Sequence, residues 1–172
     1  TKSTRGTILV DRTGLWKGKP FKALVSPKNS MKGRNNNGHI TSSNRAGGHK
    51  KMYRHIDFYR KKFDMPGTVE RIEYDPNRSC YIMLVKFGDD THSYYLAPQK
   101  IKIGDKIENG SKKEIKIGNC MPLQDIPVGV NIHNVEIQPG AGGKLARSAG
   151  TSIIISGVDG NYSLVKLTCL LY

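Results

Sequence analysis

Residues 80–87 read CYIMLVKF, a run that is apolar at nearly every position. A run this short and this apolar predicts a central β-strand buried on both faces, because a half-buried strand alternates apolar and polar side chains. Further β-like runs lie at Thr68–Tyr74, at Ser93–Leu96 and, more weakly, at Lys106–Glu108. Turn signals such as DPN at 75–77 separate them. Several short strands with punctuating turns predict a small barrel or sandwich.

A second group of strands follows in the last third of the chain. Thr151–Ser156 and Tyr162–Leu171 are convincing β runs, and VDGN at 158–161 is typical of the hairpin turn between them. Val130–Ile137 alternates only imperfectly. No window carries a helical stripe, so the predicted fold class is mostly β. The chain ends inside a strand-like pattern, which predicts that a separate chain or missing sequence completes the second barrel.

The positive charge is confined to the first third of the 172 residues. Residues 1–62 hold sixteen Lys and Arg against two acidic residues, a net charge of +14, and the remainder is neutral. Such a segment attracts a polyanion by releasing its counterions. Residues 1–55 lack any period and are rich in Gly, Asn and Ser, so alone they are expected to be largely disordered. A solvated linker needs no charge of one sign, and this favours an RNA-threading arm.

Several classes of protein are disfavoured. No apolar run approaches the roughly 20 residues needed to span a bilayer, and none near Thr1 resembles a secretory signal, so no membrane partner is expected. The three cysteines form no C-x-x-C pair and stand beside no His at metal-ligand spacing. We therefore predict buried or idle thiols in a reducing compartment, no metal site and no cofactor, with Mg²⁺ present only as an RNA counterion.

The GAGGK segment at 140–144 fails as a nucleotide-binding loop. Gln138 and Leu145 occupy the positions where that loop needs Gly and then Ser or Thr. What remains is a flexible Gly loop carrying Lys144 and Arg147, which suits RNA phosphates and an ordinary surface loop equally well.

Catalysis has little support. Cys120 with His133, or Ser79 with His92, can be paired on paper as nucleophile and base. No Gly-flanked nucleophile or paired carboxylate accompanies either pair, so the chain is predicted not to be an enzyme.

The densest candidate RNA contact is GGHKKMYRHIDFYRKK at 47–62. Cationic side chains alternate there with Tyr53, Phe58 and Tyr59, which combines charge attraction with aromatic faces for stacking. The alternative is that Ile56, Phe58 and Phe63 belong to the core of the first strand. Both can hold if the aromatics point inward and the charges outward.

Several longer motifs carry a family resemblance. They are RNNNG at 34–38, GGHK at 47–50, VERIEYDPNRS at 69–79, IPVG at 126–129, HNVE at 133–136, PG at 139–140 and GGKLARSAGT at 142–151. In this order they resemble the universal large-subunit ribosomal protein L-two family in its bacterial and organellar form. The likeness runs from about residue 17 to 167.

The resemblance implies three parts. They are a basic rRNA-threading arm at 1–55, an OB-type five-stranded barrel at 56–123, and an SH3-like barrel at 124–172 that is incomplete at its C-terminal end. It also implies a structural constituent of the large ribosomal subunit, bound to rRNA near the peptidyl-transferase region among neighbouring ribosomal proteins. A transient RNA-binding translation or assembly factor is the alternative.

The family's RNA contacts carry over onto matching positions of this chain. They are Arg34, Asn35, Asn36, Asn37, His49, Lys50, Arg54, Arg71, Asn77, Arg78, Lys144, Arg147 and Ser148. The basic pattern adds further candidates, which are His39, Arg45, Lys51, Tyr53 and Arg60. These residue types donate to phosphate and 2′-hydroxyl groups or stack on bases.

The sequence also departs from the family pattern. Ala46 replaces the first of three glycines before the His of the arm, and His39 stands where the family has Arg. The family's Gly-, His- and Arg-rich tail is missing, and we expect a separate chain to supply it. Lys exceeds Arg by nineteen to nine, and this bias suits an AT-rich genome, which favours a mitochondrial ribosome over the bacterial cytoplasm.

Overall fold

The computed structural model describes residues 2–8, 11–30 and 32–169, and it is mostly β. One short α-helix spans Lys2–Arg5, and 3₁₀ turns span Lys22–Leu24 and Leu123–Asp125. The strands of the described residues are β1 Val25–Lys28, β2 Lys51–Arg54, β3 Gly67–Glu73, β4 Ile82–Phe87, β5 His92–Leu96, β6 Lys106–Ile107, β7 Asn131–Ile132, β8 Thr151–Asp159 and β9 Tyr162–Cys169. The predicted fold class is confirmed.

The central sheet is antiparallel, with strand order β5-β4-β3-β6. Strand β4 lies inside this sheet and is buried at every position except Lys86, as its apolar run predicts. A bulge between Val69 and Arg71 shifts the register of β3 against β4, which increases the local twist. An isolated bridge from Ile56 to Tyr94 extends the β5 edge, so the described part of this sheet has four strands and a bridge rather than five full strands.

The two faces of β4 belong to different apolar clusters. Met83, Val85 and Phe87 pack inside the barrel, together with Val69, Tyr95, Ile101 and Ile107. Ile82 and Leu84 point the other way, and Phe21, Leu24, Ile56 and Phe58 cover them. Residues from the arm and its junction therefore close the outer face of the sheet, which is why the strand can be apolar on both faces.

The arm has more structure than its composition predicts. Strands β1 and β2 pair antiparallel, with Val25 opposite Arg54 and Lys28 opposite Lys51. The His55 amide donates to the Leu24 carbonyl at 2.9 Å, and the Phe21 amide donates to the Tyr94 hydroxyl at 2.9 Å. Backbone hydrogen bonds and a few apolar anchors hold these parts against the barrel. The expectation of an arm without structure does not fit these segments.

The second sheet has the order β7-β8-β9 in the described residues. The predicted β8–β9 hairpin is confirmed, and its turn contains Gly160 at φ +54°. The predicted strand at 130–137 is reduced to β7, because Asn134 takes a left-handed conformation at φ +54° and ends it. Leu170 and Leu171, which we assigned to the last strand, lie outside the described residues.

Loops beside the two sheets contact each other directly. The Gly143 amide donates to the Phe58 carbonyl at 3.0 Å, and the Ala149 amide donates to the Ser79 hydroxyl oxygen at 3.2 Å. None of the helices in the described ranges is long and apolar enough to cross a membrane.

Candidate nucleic-acid interface

The tip of the arm is a tight loop organised by Asn35. The Oδ1 atom of Asn35 accepts hydrogen bonds from the amides of Asn37 at 3.1 Å and His39 at 2.9 Å, and Arg34 donates to the Gly38 carbonyl at 3.0 Å. Side chains at 34–39 are exposed. Asn35 therefore shapes the loop, and the loop presents Asn36, Asn37 and His39 outward as donors.

Cations surround a shallow cleft at the base of this loop. The cleft has a volume of about 300 Å³, and Lys32, Arg34 and Arg45 line it. Lys50 and Lys51 are exposed farther along the chain. This region holds positive charge in water-accessible positions, where it can bind phosphate.

His49 and Tyr53 differ in exposure. His49 is exposed, and its Nδ1 lies 3.0 Å from the Lys50 carbonyl oxygen. Tyr53 is half-buried and meets the His55 ring edge-to-face at 5.4 Å. Part of the Tyr53 surface therefore remains available for stacking.

The turn at 75–78 is built around a fully buried carboxylate. Asp75 accepts hydrogen bonds from the Arg78 Nε at 2.6 Å and from the Asn77 amide at 2.9 Å, and an Arg54 nitrogen lies 3.9 Å away. Asn77 also reaches the arm, because its Nδ2 donates to the Met52 carbonyl at 2.7 Å. Arg54, Asn77 and Arg78 are thus half-buried and held in place, and they shape the surface rather than extend from it.

Arg71 belongs to a second buried network. Its Nε donates to Glu73 at 2.7 Å, and both Glu73 oxygens lie 3.0 Å from the Tyr94 hydroxyl. Burial is the main cause that raises the pKa of Tyr94 to about 12, and the Glu73 charge adds to it. The guanidinium of Arg71 also lies 4.8 Å from the centre of the Trp16 ring.

The glycine loop at 140–144 uses its own amides internally. Glu136 accepts hydrogen bonds from the amides of Gly140 at 2.7 Å and Gly142 at 3.1 Å. A Cβ atom at Gly143 would come within 2.2 Å of the Asn134 side-chain oxygen, so any other residue here would displace the Asn134 side chain. The side chains of Lys144, in this loop, and of Ser148, four residues later, are exposed and accessible to phosphate.

Arg147 turns back toward the barrel. Its Nε donates to the Gly143 carbonyl at 2.7 Å, and its guanidinium lies 4.0 Å from the centre of the Phe58 ring. Arg78 lies 6.0 Å from the same ring centre. Phe58 thus packs against the core, as one reading of the 47–62 segment predicts, and two arginines lie near its ring. Stacking of RNA on this segment stays a prediction.

Arg60 does not fit the predicted interface. Its side chain is only 6% exposed, its Nη1 donates to the Gly118 carbonyl at 2.7 Å, and its guanidinium lies 4.1 Å from the centre of the Tyr95 ring. Desolvation lowers the pKa of Arg60 from its ordinary value. A cation in this position cannot reach a phosphate, because the barrel itself binds it.

Neither of the two candidate nucleophile–base pairs has the properties that catalysis needs. Partial desolvation raises the pKa of the Cys120 thiol, and burial lowers the pKa of His133 to about 4. A reactive cysteine needs the opposite shift of its thiol pKa. The Ser79 hydroxyl accepts from the Ala149 amide, and His92 lies 3.3 Å from Glu70. Within the described residues, no group of three or more His, Cys, Asp and Glu side chains could hold a metal ion.

Two features were missed from the sequence. The acidic residues Glu73 and Asp75 organise the arginines around them, and each follows an arginine or precedes one within three residues, which is a usable signal. Trp16 and Arg12 also lie against the barrel, with the Arg12 guanidinium 4.1 Å from the centre of the Tyr74 ring. The sequence signal for this contact was that the chain's only tryptophan stands among cationic residues.

Comparison with known proteins agrees with this arrangement. Residues 21–109 match the family model for the RNA binding N-terminal domain of Ribosomal Proteins L2, and residues 116–169 match the model for their C-terminal domain. The chain is similar to the large ribosomal subunit protein uL2 of Pelagibacter ubique, with 83% identity over 98% of this chain and 60% of the relative. For uL2 of Granulibacter bethesdensis the identity is 58% over 97% of this chain and 60% of the relative.

A third relative, uL2 of Rickettsia bellii, is 55% identical over 97% of this chain and 61% of its own length. The chain therefore spans about 60% of the length of the curated relatives that it matches. These relatives are bacterial, so they fit the bacterial alternative and give the mitochondrial prediction no support. Two family models together cover most of the sequence in the expected order, and the chain belongs to the ribosomal protein L2 family.

Proposed function

We propose that this chain is a structural, non-catalytic constituent of the large subunit of a bacterial ribosome and that it binds the rRNA of that subunit. The observation that carries the proposal is the ordered display of cations on the arm, where the Asn35 loop and the cleft beside it present Arg34 and Arg45 to solvent. The similar uL2 proteins are named as components of the large ribosomal subunit, and the matching N-terminal family model is described as RNA binding.

The proposed interface has two kinds of residue. Direct contacts come from exposed side chains, which are those of Arg34, Asn36, Asn37, His39, Arg45, His49, Lys50, Lys51, Lys144 and Ser148. Donors and cations delivered from loops suit phosphates and 2′-hydroxyl groups, which need no groove-reading helix.

Half-buried residues give this surface its shape. Arg54, Arg71, Asn77, Arg78 and Arg147 are held by internal carboxylates and carbonyls, and each residue is partly exposed. Their fixed positions reduce the side-chain entropy lost when RNA binds. Arg60 is not part of the proposed interface.

The arm threads between RNA helices while the barrels dock on folded RNA and fix where the arm begins. The site near the peptidyl-transferase region, the neighbouring ribosomal proteins and Mg²⁺ as an RNA counterion belong to the same proposal. A separate chain that completes the second barrel stays a prediction.

Sedimentation of native ribosomes through a high-salt gradient tests the proposal. High salt releases proteins that are bound to the ribosome only by charge, since each phosphate contact weakens as ionic strength rises. We expect the chain to travel with the large subunit. Release to the top of the gradient would instead identify a transient RNA-binding factor.

Substitutions separate the structural role from a catalytic one. Arg78→Ala and Arg147→Ala are expected to reduce incorporation into the large subunit, whereas Cys120→Ser is expected to change neither incorporation nor translation. Loss of translation by ribosomes that contain normal amounts of the Cys120→Ser chain would argue for cysteine chemistry.

A further inference from the structure

A cleft of about 410 Å³ separates the segment at 12–20 from the end of β3, away from the arm tip and the glycine loop. Its walls include three cations and two aromatic rings. The charged and aromatic residues that line it are Arg12, Trp16, Lys17, Arg54, Glu73 and Tyr74. Pockets that accept small ligands begin at about 300 Å³, so the space is sufficient for a single nucleotide.

Hydrogen bonds position Trp16, while about half of its surface stays exposed to solvent. Its amide donates to the Ile72 carbonyl at 2.8 Å, and its indole nitrogen donates to the Lys19 carbonyl at 3.3 Å. The Arg71 guanidinium lies over the ring at 4.8 Å, yet 48% of the residue remains exposed. A positioned, half-open indole is a stacking platform for a base.

The charge of the cleft favours an anion. Arg12, Lys17 and Arg54 outnumber the one carboxylate that lines the cleft, that of Glu73, which Arg71 and Tyr94 already bind. The Asp75 carboxylate lies 3.9 Å from an Arg54 nitrogen but does not line the cleft. The Nε of Arg54 is buried and has no hydrogen-bond partner among the described residues. A buried donor of this kind is costly unless it is satisfied, and a phosphate oxygen is a suitable acceptor.

We propose that this cleft binds one unstacked nucleotide of single-stranded RNA, with the base against Trp16 and the phosphate toward Arg12, Lys17 and Arg54. The inference rests on the proposed function and adds a defined base-binding site to it. An acidic peptide would use the cations but would have no use for the aromatic rings of Trp16 and Tyr74, and this favours RNA.

Gly18 provides a way to perturb the cleft. A Cβ atom at this position would lie 2.6 Å from the indole nitrogen of Trp16, so Gly18→Ala must displace the ring. The substitution leaves all the cations in place. It therefore separates the stacking platform from the charge.

The test uses the full chain and a single-stranded octauridylate at low ionic strength. Trp16 is the only tryptophan, so its emission reports on the cleft alone, while the anisotropy of a labelled octauridylate reports total binding. We expect saturable quenching at the concentrations where the anisotropy rises. Trp16→Ala should weaken binding about tenfold, Trp16→Phe should retain most of the affinity, and Gly18→Ala should weaken binding and shift the Trp16 emission.

Tyr162→Ala is the matched control, because Tyr162 is 80% exposed on the hairpin of the second sheet and should leave binding unchanged. The proposal is overturned if octauridylate does not bind, if it binds without quenching Trp16, or if a normally melting Trp16→Ala chain binds equally well. It is also overturned if a glutamate-rich peptide reverses the quenching while octauridylate stays bound.

Binding of the same variants to large-subunit rRNA is measured in parallel. If the cleft fails these tests while rRNA binding is retained, the proposed function stands and only the nucleotide site is lost. If no variant, nor the unaltered chain, binds rRNA, both inferences fail.

Discussion

The arm and the barrel use arginine in opposite ways. Arg45 on the arm is exposed beside a cationic cleft, whereas Arg60, fifteen positions later, is 6% exposed and bound by a carbonyl and an aromatic ring. A cation that remains in water can exchange its counterions for an RNA phosphate. A cation enclosed by the barrel cannot, so it stabilises the fold. Charge that looks uniform in the sequence therefore divides into an RNA-binding part and a structural part.

The turn at 75–78 lies between these extremes. Arg78 of the turn and Arg54 of β2 are half-buried, and both lie beside one carboxylate with no solvent exposure, that of Asp75. Asp75 is part of the core, whereas the two arginines that it positions are partly exposed. Substitutions that affect stability without affecting RNA binding, or the reverse, test whether these two roles are separate.

Asp75→Ala should have the largest effect on stability. It leaves the partly buried guanidinium of Arg78 without its anion, and breaking a buried pair in this way costs about 3–5 kcal/mol. The free energy of unfolding in urea measures the loss. Asp75→Asn is the control, since it can still accept a hydrogen bond from the Asn77 amide and should cost less. A loss below about 1 kcal/mol for the alanine variant would show that the turn does not depend on the carboxylate.

Arg60→Leu should cost about 3 kcal/mol, because the Gly118 carbonyl loses its donor and the Tyr95 ring loses its cation. The salt dependence of rRNA binding, measured on folded protein, should not change. Arg45→Leu is the matched control, with unchanged stability and a weaker salt dependence. If Arg60→Leu instead weakened the salt dependence and spared stability, the barrel would have to open on RNA.

Much of the fold was predictable because it depends on short-range pattern. The apolar run at 80–87 located β4, and the VDGN turn located the β8–β9 hairpin. The end of β7 was not predictable, since it depends on the left-handed conformation of Asn134, whose side chain lies against Gly143, nine residues later. The order in the arm was missed for a similar reason, because Phe21 and Leu24 are anchored by a sheet formed later in the sequence.

The candidate site was predictable as a charged segment but not residue by residue. Residue type alone gave Arg45 and Arg60 the same role, and only the surrounding fold separates them. Asp75 was overlooked because acidic residues do not suggest an RNA interface, yet this one positions two of the predicted arginines. Its effect depends on burial, which the local pattern does not reveal.

His133 should make the free energy of unfolding depend on pH. Burial lowers its pKa to about 4, while the unfolded chain has the ordinary value of 6.5, so the unfolded state binds more protons between these values. Stability is fully present above about pH 6.5 and is lost as the pH falls toward 4, by about 3 kcal/mol. Unfolding in urea across this range measures it. His133→Leu should flatten the profile, and an unchanged slope in that variant would assign the loss to other groups.

The smallest effect on stability is expected for Arg45→Ala, Lys50→Ala and Lys51→Ala combined. These side chains are exposed, so the free energy of unfolding should change by less than about 0.5 kcal/mol. The same variant should lower the slope of log affinity for rRNA against log salt by about 2 to 3, because each cation neutralises about one phosphate.

The control removes equal charge from exposed barrel positions, with Lys100→Ala, Lys102→Ala and Lys106→Ala combined. If binding follows net charge alone, the two triple variants will change the slope equally, and the division between arm and barrel will not hold. If the arm is the RNA-binding part, the arm variant will change the slope more. That result would also exclude global attraction as its cause, since both variants lose three positive charges while only one loses them from the arm, Arg45 of the cleft included.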